Sequence, residues 1–482
     1  MCLASNLVKE AAAHADSAAA ADKALREIDH EKTTFTRREI ESQRHDLVII
    51  EDRVYDADRF QWAHPGGSLF VAMFGGRDGT LAFQSYHMRN FPHEKLRPYL
   101  RGRLAPGETI TRFDQDHLEL SKKLGGAAPY FAPRHQQYKA AFIWVLAFAL
   151  EAYALTVKRS WALATVLGFL YAMIGLNIQH DANHGAMFKD GLKNMAWGLS
   201  QQWIGGSQVM WLQEHVVLHH MHTGDVHMDP DAQMAPAMRG YSGSMYLPWM
   251  VLQHYYFLLL ELGYWVVPNI GHFFEVLAWS HKFEYPLSRL AMPCWRTQST
   301  LLHLLYYVRH IILPSLVAIR AATPDEVFSA VGRELAVSLW MSTVGGFYLA
   351  FFFFLSHNFD GVHFTEGANA GGDCLYEEDS GFLKQQAASS SNVGGEKLCV
   401  LNGGLNYQIE HHLFPRIAHS HYPTIASKVR PFVTSKGGQY VHFDTVWANL
   451  MSVHKYLRRF ADPLFNPVVK GPARPSPEVT GG

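Results

Sequence analysis

Two apolar runs separated by only three residues constrain this chain most. Ala140 to Val157 and Trp161 to Gln179 each approach the roughly 20 residues a helix needs to cross a bilayer. The join, Lys158-Arg159-Ser160, is too short for anything but a helical hairpin. A second apolar pair follows, Leu301 to Ile319 and Glu334 to Leu355. Four crossings result, and an even number returns the N-terminal region, the middle loop and the C-terminal region to one face of the membrane. Leu247 to Ile270 is apolar too, but Gln253, His254, Glu261 and Pro268 interrupt it, which predicts an interfacial or half-buried helix. Glu151, the one charge in the first run, predicts a partner inside the bundle. Lys158 and Arg159 fall in the far-side turn, against the positive-inside bias. Two residues are a small count beside the parity of the histidines described next.

The middle loop carries five histidines between Trp211 and Asp231: His215, His219, His220, His222 and His227. Neutral imidazole is a common ligand for iron, zinc and copper. In a helix His215 and His219 share a face and His220 sits one step round, so one helix offers three imidazoles over an arc wide enough for two metal ions. Alone, the cluster also fits a polar solvated helix. Two more clusters answer it: His180 and His184 in HDANH, one residue beyond the second apolar run, and Gln408, His411 and His412 in QIEHH. His357 directly follows the fourth run. Asp181, Asp229, Asp231 and Glu410 are placed to orient imidazole N–H groups, though Asp229-Pro230-Asp231 equally fits a plain turn. His222 and His227 are left to supporting or surface roles, and His419 and His421 to the surface. Gly205, Gly206, Trp197, Trp203 and Trp211 fit either an apolar wall near the metals or interfacial anchoring.

Ahead of the first span, Asp46 to Asp56 reads strand-turn-strand and leads to His64-Pro65-Gly66-Gly67. The turn projects His64 while its small residues let a flat ligand approach the backbone. A second histidine, His87, follows in Tyr86-His87-Met88-Arg89. With 482 residues, 48% of them hydrophobic and 13% aromatic, yet a mean hydropathy of only −0.08, the chain suits a membrane protein with soluble parts. A net charge of −1 implies no nucleic-acid partner. Four scattered cysteines, Cys2, Cys294, Cys374 and Cys399, suggest neither a disulfide framework nor zinc. Residues 1–30 show no signal-peptide pattern.

Residues 33–105 resemble cytochrome b5, in which two axial histidines hold haem. The three histidine clusters resemble the boxes of membrane fatty acid desaturases. The Gln opening the third is similar to the front-end branch, which inserts a double bond between the carboxyl end and an existing one. Together, residues 40–455 resemble microalgal, haptophyte-like cytochrome b5-fusion front-end desaturases, with the delta-4 pattern nearest. The runs that carry this include Phe74-Gly75-Gly76-Arg77-Asp78, Trp211-Leu212-Gln213-Glu214-His215 and Asn402-Gly403-Gly404-Leu405-Asn406-Tyr407 leading into Gln408. Thr223-Gly224-Asp225 departs from the commoner Thr-Asn-Asp, which bears on substrate contacts more than on metals.

The resemblance implies an α+β cytochrome b5-like domain fused to an all-α integral membrane domain with four transmembrane helices and a cytosolic histidine-box cap. Its divisions are a disordered 1–32, a haem domain at 33–105, a linker at 106–139, the desaturase domain at 140–462 and a disordered tail at 463–482. It implies two irons on His180, His184, His215, His219, His220, His357, Gln408, His411 and His412. It also implies haem b on His64 and His87, with O2 as co-substrate. The implied partners are a long-chain polyunsaturated acyl substrate, an NADH-cytochrome b5 reductase and the lipid bilayer, in the endoplasmic reticulum. The activity expected is delta-4 desaturation, docosapentaenoic to docosahexaenoic acid. A delta-5 desaturase, a sphingolipid desaturase and a lipid hydroxylase remain alternatives. A membrane metal transporter would instead place its ionisable ligands at mid-bilayer, and a simple b5-type electron carrier would not need three histidine boxes.

Overall fold

The computed structural model describes residues 32–42, 46–88, 93–125, 131–241, 243–280, 292–365 and 381–465. The stretches expected to be disordered at either end lie almost wholly outside these residues, as do Cys2 and Cys374.

The N-terminal domain is built on a four-stranded sheet. Its strands are β1 (Thr34–Phe35), β2 (Leu47–Ile50), β3 (Arg53–Asp56) and β4 (Leu100–Leu104), in the order β1-β4-β3-β2. The expected strand-turn-strand is the antiparallel β2–β3 hairpin, running from Leu47 opposite Asp56 to Ile50 opposite Arg53. Alternation sorts its side chains. Leu47, Ile49 and Val54 pack with Ile40 and Leu104 on one face, while Val48, Ile50 and Tyr55 face the helices on the other. Those helices are Ala57–Ala63, capped by the Asp56 carboxylate on Arg59 N, then Ser68–Met73 and Thr80–Tyr86.

This domain does not hang free. Its helix-side cluster, with Leu69, Val71 and Met73, is continuous with Met195, Val209, Met210, Val216 and Val217 of the second domain. At the seam the histidine-turn backbone crosses Gly191 so closely that a Cβ there would lie 2.5 Å from Gly66 C and 2.7 Å from Gly67 N. The stretch expected as a polar linker contains the helix Gln115–Lys123, docked on the C-terminal region. His117 Nε2 reaches Leu413 O at 2.8 Å, and Lys436 lies 2.7 Å from both Asp116 and Glu119.

Among the described residues, four helices are long and apolar enough to cross a membrane: Arg134–Thr156, Trp161–Asn183, Trp295–Ala321 and Val327–His357. The first begins six residues before its expected run and ends one residue short of it, at Thr156; the other three contain theirs and extend past them. The second and fourth cross at glycines, where a Cβ on Gly168 or Gly345 would strike the other helix's backbone. Small residues of this kind let spans approach closely in lipid. Glu151 has the expected partner: Arg309 grips it through Nε and Nη2, both at 2.6 Å, and Tyr171 Oη donates to it. Arg159 lies 3.3 Å from Glu334, so half of the far-side positive pair is neutralised inside the bundle.

The interrupted apolar stretch forms two helices, Pro248–Leu262 and Val267–Ala278, bent by 51°. Its pattern is inside out. Gln253, His254 and Glu261 are buried, whereas Trp249, Tyr255, Leu259 and Phe274 are exposed. An apolar outer face with polar groups turned inward suits contact with lipid.

Candidate metal and haem sites

The first site lies in the N-terminal domain. His64 leaves the end of helix Ala57–Ala63 and His87 ends helix Thr80–Tyr86. Their rings stand edge to face at 71° where they line one cavity, with centroids 6.0 Å apart. That spacing leaves room for one metal ion bonded to each ring at about 2 Å. His64 Nδ1 lies 3.0 Å from Gly67 O, and His87 Nδ1 2.8 Å from Phe83 O. Each Nδ1–H therefore donates to a backbone carbonyl, which fixes the tautomer and leaves Nε2 without a proton. Burial lowers His64 to about 4 and, helped by His64, His87 to about 3, so both rings are neutral. Val48, Ile50, Phe60, Phe74 and Phe83 give the cavity apolar walls suited to a flat porphyrin. One wall belongs to the other domain: His184, Gly185, Lys189, Asn194 and Arg416.

The second site gathers residues from four separate segments. Two groups of ring nitrogens converge, each within 4.8 Å: His180, His184, His215 and His411 form one, and His219, His357 and His412 the other. His220 lies between them, with ring centroids 4.6 Å from His411 and 4.4 Å from His412. The carboxamide of Gln408 sits 2.9 Å from His357 Nε2 and 3.2 Å from His412 Nε2, and its buried Oε1 has no partner. All nine expected ligands are thus brought together.

A widened turn decides how the central helix shares its histidines. Leu212–His219 is π-helical, so His220 N bonds His215 O, and the Nε2 atoms of these two rings meet at 3.1 Å. His215 turns to one group and His219 to the other, a division that the α-helical reading of a shared face does not give. A second π turn, Gly175–Gln179, precedes His180.

Oxygen atoms hold the outer ring nitrogens. His184 Nδ1 meets Tyr86 Oη at 2.7 Å, His357 Nδ1 meets Ser389 O at 3.0 Å, and His411 Nδ1 meets Tyr422 Oη at 2.9 Å. His412 Nδ1 meets Gln386 Oε1 at 2.9 Å. His219 Nδ1 lies between two carboxylates, Asp229 at 2.9 Å and Asp231 at 2.8 Å. Asp229-Pro230-Asp231 is therefore more than a turn. Burial opposes charge on His219, but these carboxylates outweigh it and raise the ring to about 10. Burial, reinforced by neighbouring imidazoles, holds His184, His215, His220, His411 and His412 well below the usual range. Bare nitrogens meet bare nitrogens, and His184 Nε2, His411 Nε2 and both nitrogens of His180 are buried without partners. Buried polar atoms in this state are costly, and a donor set of this kind fits metal ions.

Three expectations need correction. His419 is buried, not on the surface. Its Nδ1 lies 2.8 Å from Asp181, which also accepts from Gln136, because the Ala418–His419 chain folds back under the second span. Glu410 orients no imidazole; it accepts from Asn392 and Tyr440 at 2.7 Å, and burial lifts it to about 7. Trp197 and Trp203 do not line the space near the metals. Trp197 packs on Trp144 and Phe188, and Trp203 lies under the Arg309 guanidinium. Asn358 bonds back to Phe354 O as a helix end, whereas His227 is exposed and His222 half-buried.

Trp211 does stand where expected, its ring 4.4 Å from that of His215. It also lines a cavity with Gly206, Tyr264, Met341 and Leu349, beside Gln179.

Residues 158–444 match the family described as fatty acid desaturase, and residues 36–105 match the cytochrome b5-like heme/steroid binding domain. The chain belongs to the fatty acid desaturase family. It is 42% identical over 438 residues to an acyl-lipid (7-3)-desaturase of Rebecca salina, covering 89% of this chain and 93% of that one. A protein of the same name from Diacronema lutheri is 40% identical over 431 residues, with the same coverage. An acyl-lipid (8-3)-desaturase of Physcomitrium patens is 28% identical over 446 residues, covering 86% and 87%. This desaturase is thus an oxygen-dependent oxidoreductase of acyl lipids with a fused haem domain.

Proposed function

We propose that this desaturase is a front-end enzyme placing a cis double bond at carbon four of twenty-two-carbon polyunsaturated chains, docosapentaenoic to docosahexaenoic acid. The observation that carries the regiochemistry is the pair of relatives at 42% and 40% identity, both named (7-3), against 28% for the one named (8-3). We take the two figures as an existing bond at carbon seven and a new one three carbons nearer the carboxyl group. The shared "acyl-lipid" name favours a lipid-bound chain over a thioester.

The division of the histidines into two groups supports two irons. His180, His184, His215 and His411 would hold one; His219, His357 and His412, with Gln408, the other; His220 stands between. His64 and His87 would hold the haem, and with two protein ligands it would serve electron transfer. When bound, the irons supply the oxidant made from O2 that an unactivated methylene requires. Two hydrogens leave the chain and two electrons and two protons arrive, giving one double bond and two waters. The electrons come from an NADH-cytochrome b5 reductase. The cavity beside Trp211 and Gln179 would hold the acyl chain and exclude water, with Gly206 leaving room for it. An endoplasmic reticulum location with both sites cytosolic is consistent with the ligands at matching ends of the second and fourth spans.

The test is a fatty acid profile of yeast expressing the chain and fed twenty- and twenty-two-carbon polyunsaturated acids separately. A new bond at carbon four of the longer acids is expected. A bond at carbon five of the shorter acids would reassign the enzyme to delta-5. No new product from membrane-embedded, haem-loaded protein would point to sphingoid bases or hydroxylation.

A further inference from the structure

The two sites touch through one hydrogen bond. Tyr86 immediately precedes His87 and lines the haem cavity with it. Its ring is 5.8 Å from Phe70 and 6.1 Å from His184, nearly parallel to the latter at 26°. Tyr86 Oη meets His184 Nδ1 at 2.7 Å, and His184 Nε2 points into the first histidine group. With Nε2 free for a metal, Nδ1 carries the proton and donates it to Tyr86 Oη.

We propose that Tyr86 is the positioning residue that bridges the haem to the metal centre: it fixes the His184 tautomer and carries the electron across the domain seam. This rests on the reading above, in which His64 and His87 hold a haem that supplies the histidine centre. From the haem cavity the path is one aromatic ring, one 2.7 Å hydrogen bond and one imidazole. Each transfer oxidises ferrous haem to ferric and reduces one ferric non-haem iron to ferrous. The shared proton stays on His184 Nδ1, so charge moves without a proton leaving the bridge. The close approach at Gly191 and the shared core hold the two ends in register.

The experiment follows haem reoxidation in the purified full-length protein. The haem is reduced without oxygen, then mixed with oxygenated buffer and acyl substrate, and loss of the ferrous band is timed. Two variants separate the roles. Y86F keeps the ring and removes the oxygen; Y86Q keeps an acceptor for His184 and removes the ring. Non-haem iron, the haem spectrum and the haem potential are measured on each. Wild type is expected to show a fast, substrate-dependent phase that His412→Ala lacks. Both Tyr86 variants, at wild-type iron content and potential, are expected to slow that phase about 10-fold or more, Y86F by losing the outer partner of His184 and Y86Q by losing the ring that spans the seam. If Y86F fails to hold iron, Y86Q decides. Either variant reoxidising at the wild-type rate overturns the proposal, as does a slow rate explained by lost iron in both. A wild type without the phase would instead overturn the haem-to-metal reading itself.

Discussion

The haem cavity and the histidine centre use the same chemistry and are built in opposite ways. In both, an oxygen acceptor holds the outer nitrogen of most of the imidazoles and leaves the inner one bare. In the haem domain the two candidate ligands, 23 positions apart in sequence, each end a short helix, and the acceptors are backbone carbonyls three and four residues away. The cavity between them is open and apolar. In the membrane domain the ligands come from four segments spread over more than 200 residues, and the rings pack against each other. The acceptors there are mostly side chains, carboxylates, an amide and phenols, with one backbone carbonyl, Ser389 O, and they lie at least ten residues from the histidines they hold. A local site can be carried by a small fold. A dispersed one needs the whole domain to hold its geometry.

The contrast can be broken most sharply at His412. His412→Ala should abolish desaturation while leaving the haem spectrum unchanged, because the two ligand sets share no histidine; product analysis and absorption spectra on one preparation check this. His64→Ala should remove haem and desaturation together but leave non-haem iron bound. Full activity without haem would mean that an external cytochrome replaces the fused one. Replacing Asp229 and Asp231 by Asn together should weaken iron binding or turnover by about 10–100-fold, the usual cost of losing an outer partner. The haem should not respond. The smallest effect is expected at the seam: Gly191→Ala forces a Cβ into the Gly66–Gly67 backbone. Its cost should be about 1–3 kcal/mol, typical of overpacking, read as a lower melting temperature with both metals retained.

The same contrast explains what the sequence revealed. His64 and His87 were legible because a turn and a short helix fix them locally. The four spans were legible because hydropathy needs no partner, and the three histidine boxes because spacing marks each one. Their division between two groups was not, since a π turn at Leu212–His219 changes which rings share a face, and nothing in LQEHVVLH marks it. Tyr86, Gln386 and Tyr422 were missed because each meets its histidine only through the tertiary fold; Tyr86 is 98 residues from His184. His419 read as a surface histidine because Asp181, which buries it, lies 238 residues away. The bent pair after Pro248 confused hydropathy because its polar residues face inward toward protein.

The measurement that tests the central claim most directly is the iron inventory of the purified chain. Total iron and haem are quantified per polypeptide in wild type, His64→Ala and His412→Ala. Under the proposed reading wild type carries one haem iron and two non-haem irons, the haem alone is lost in the first variant, and non-haem iron is lost with haem kept in the second. Non-haem iron absent from wild type, or unchanged by His412→Ala, would contradict the account.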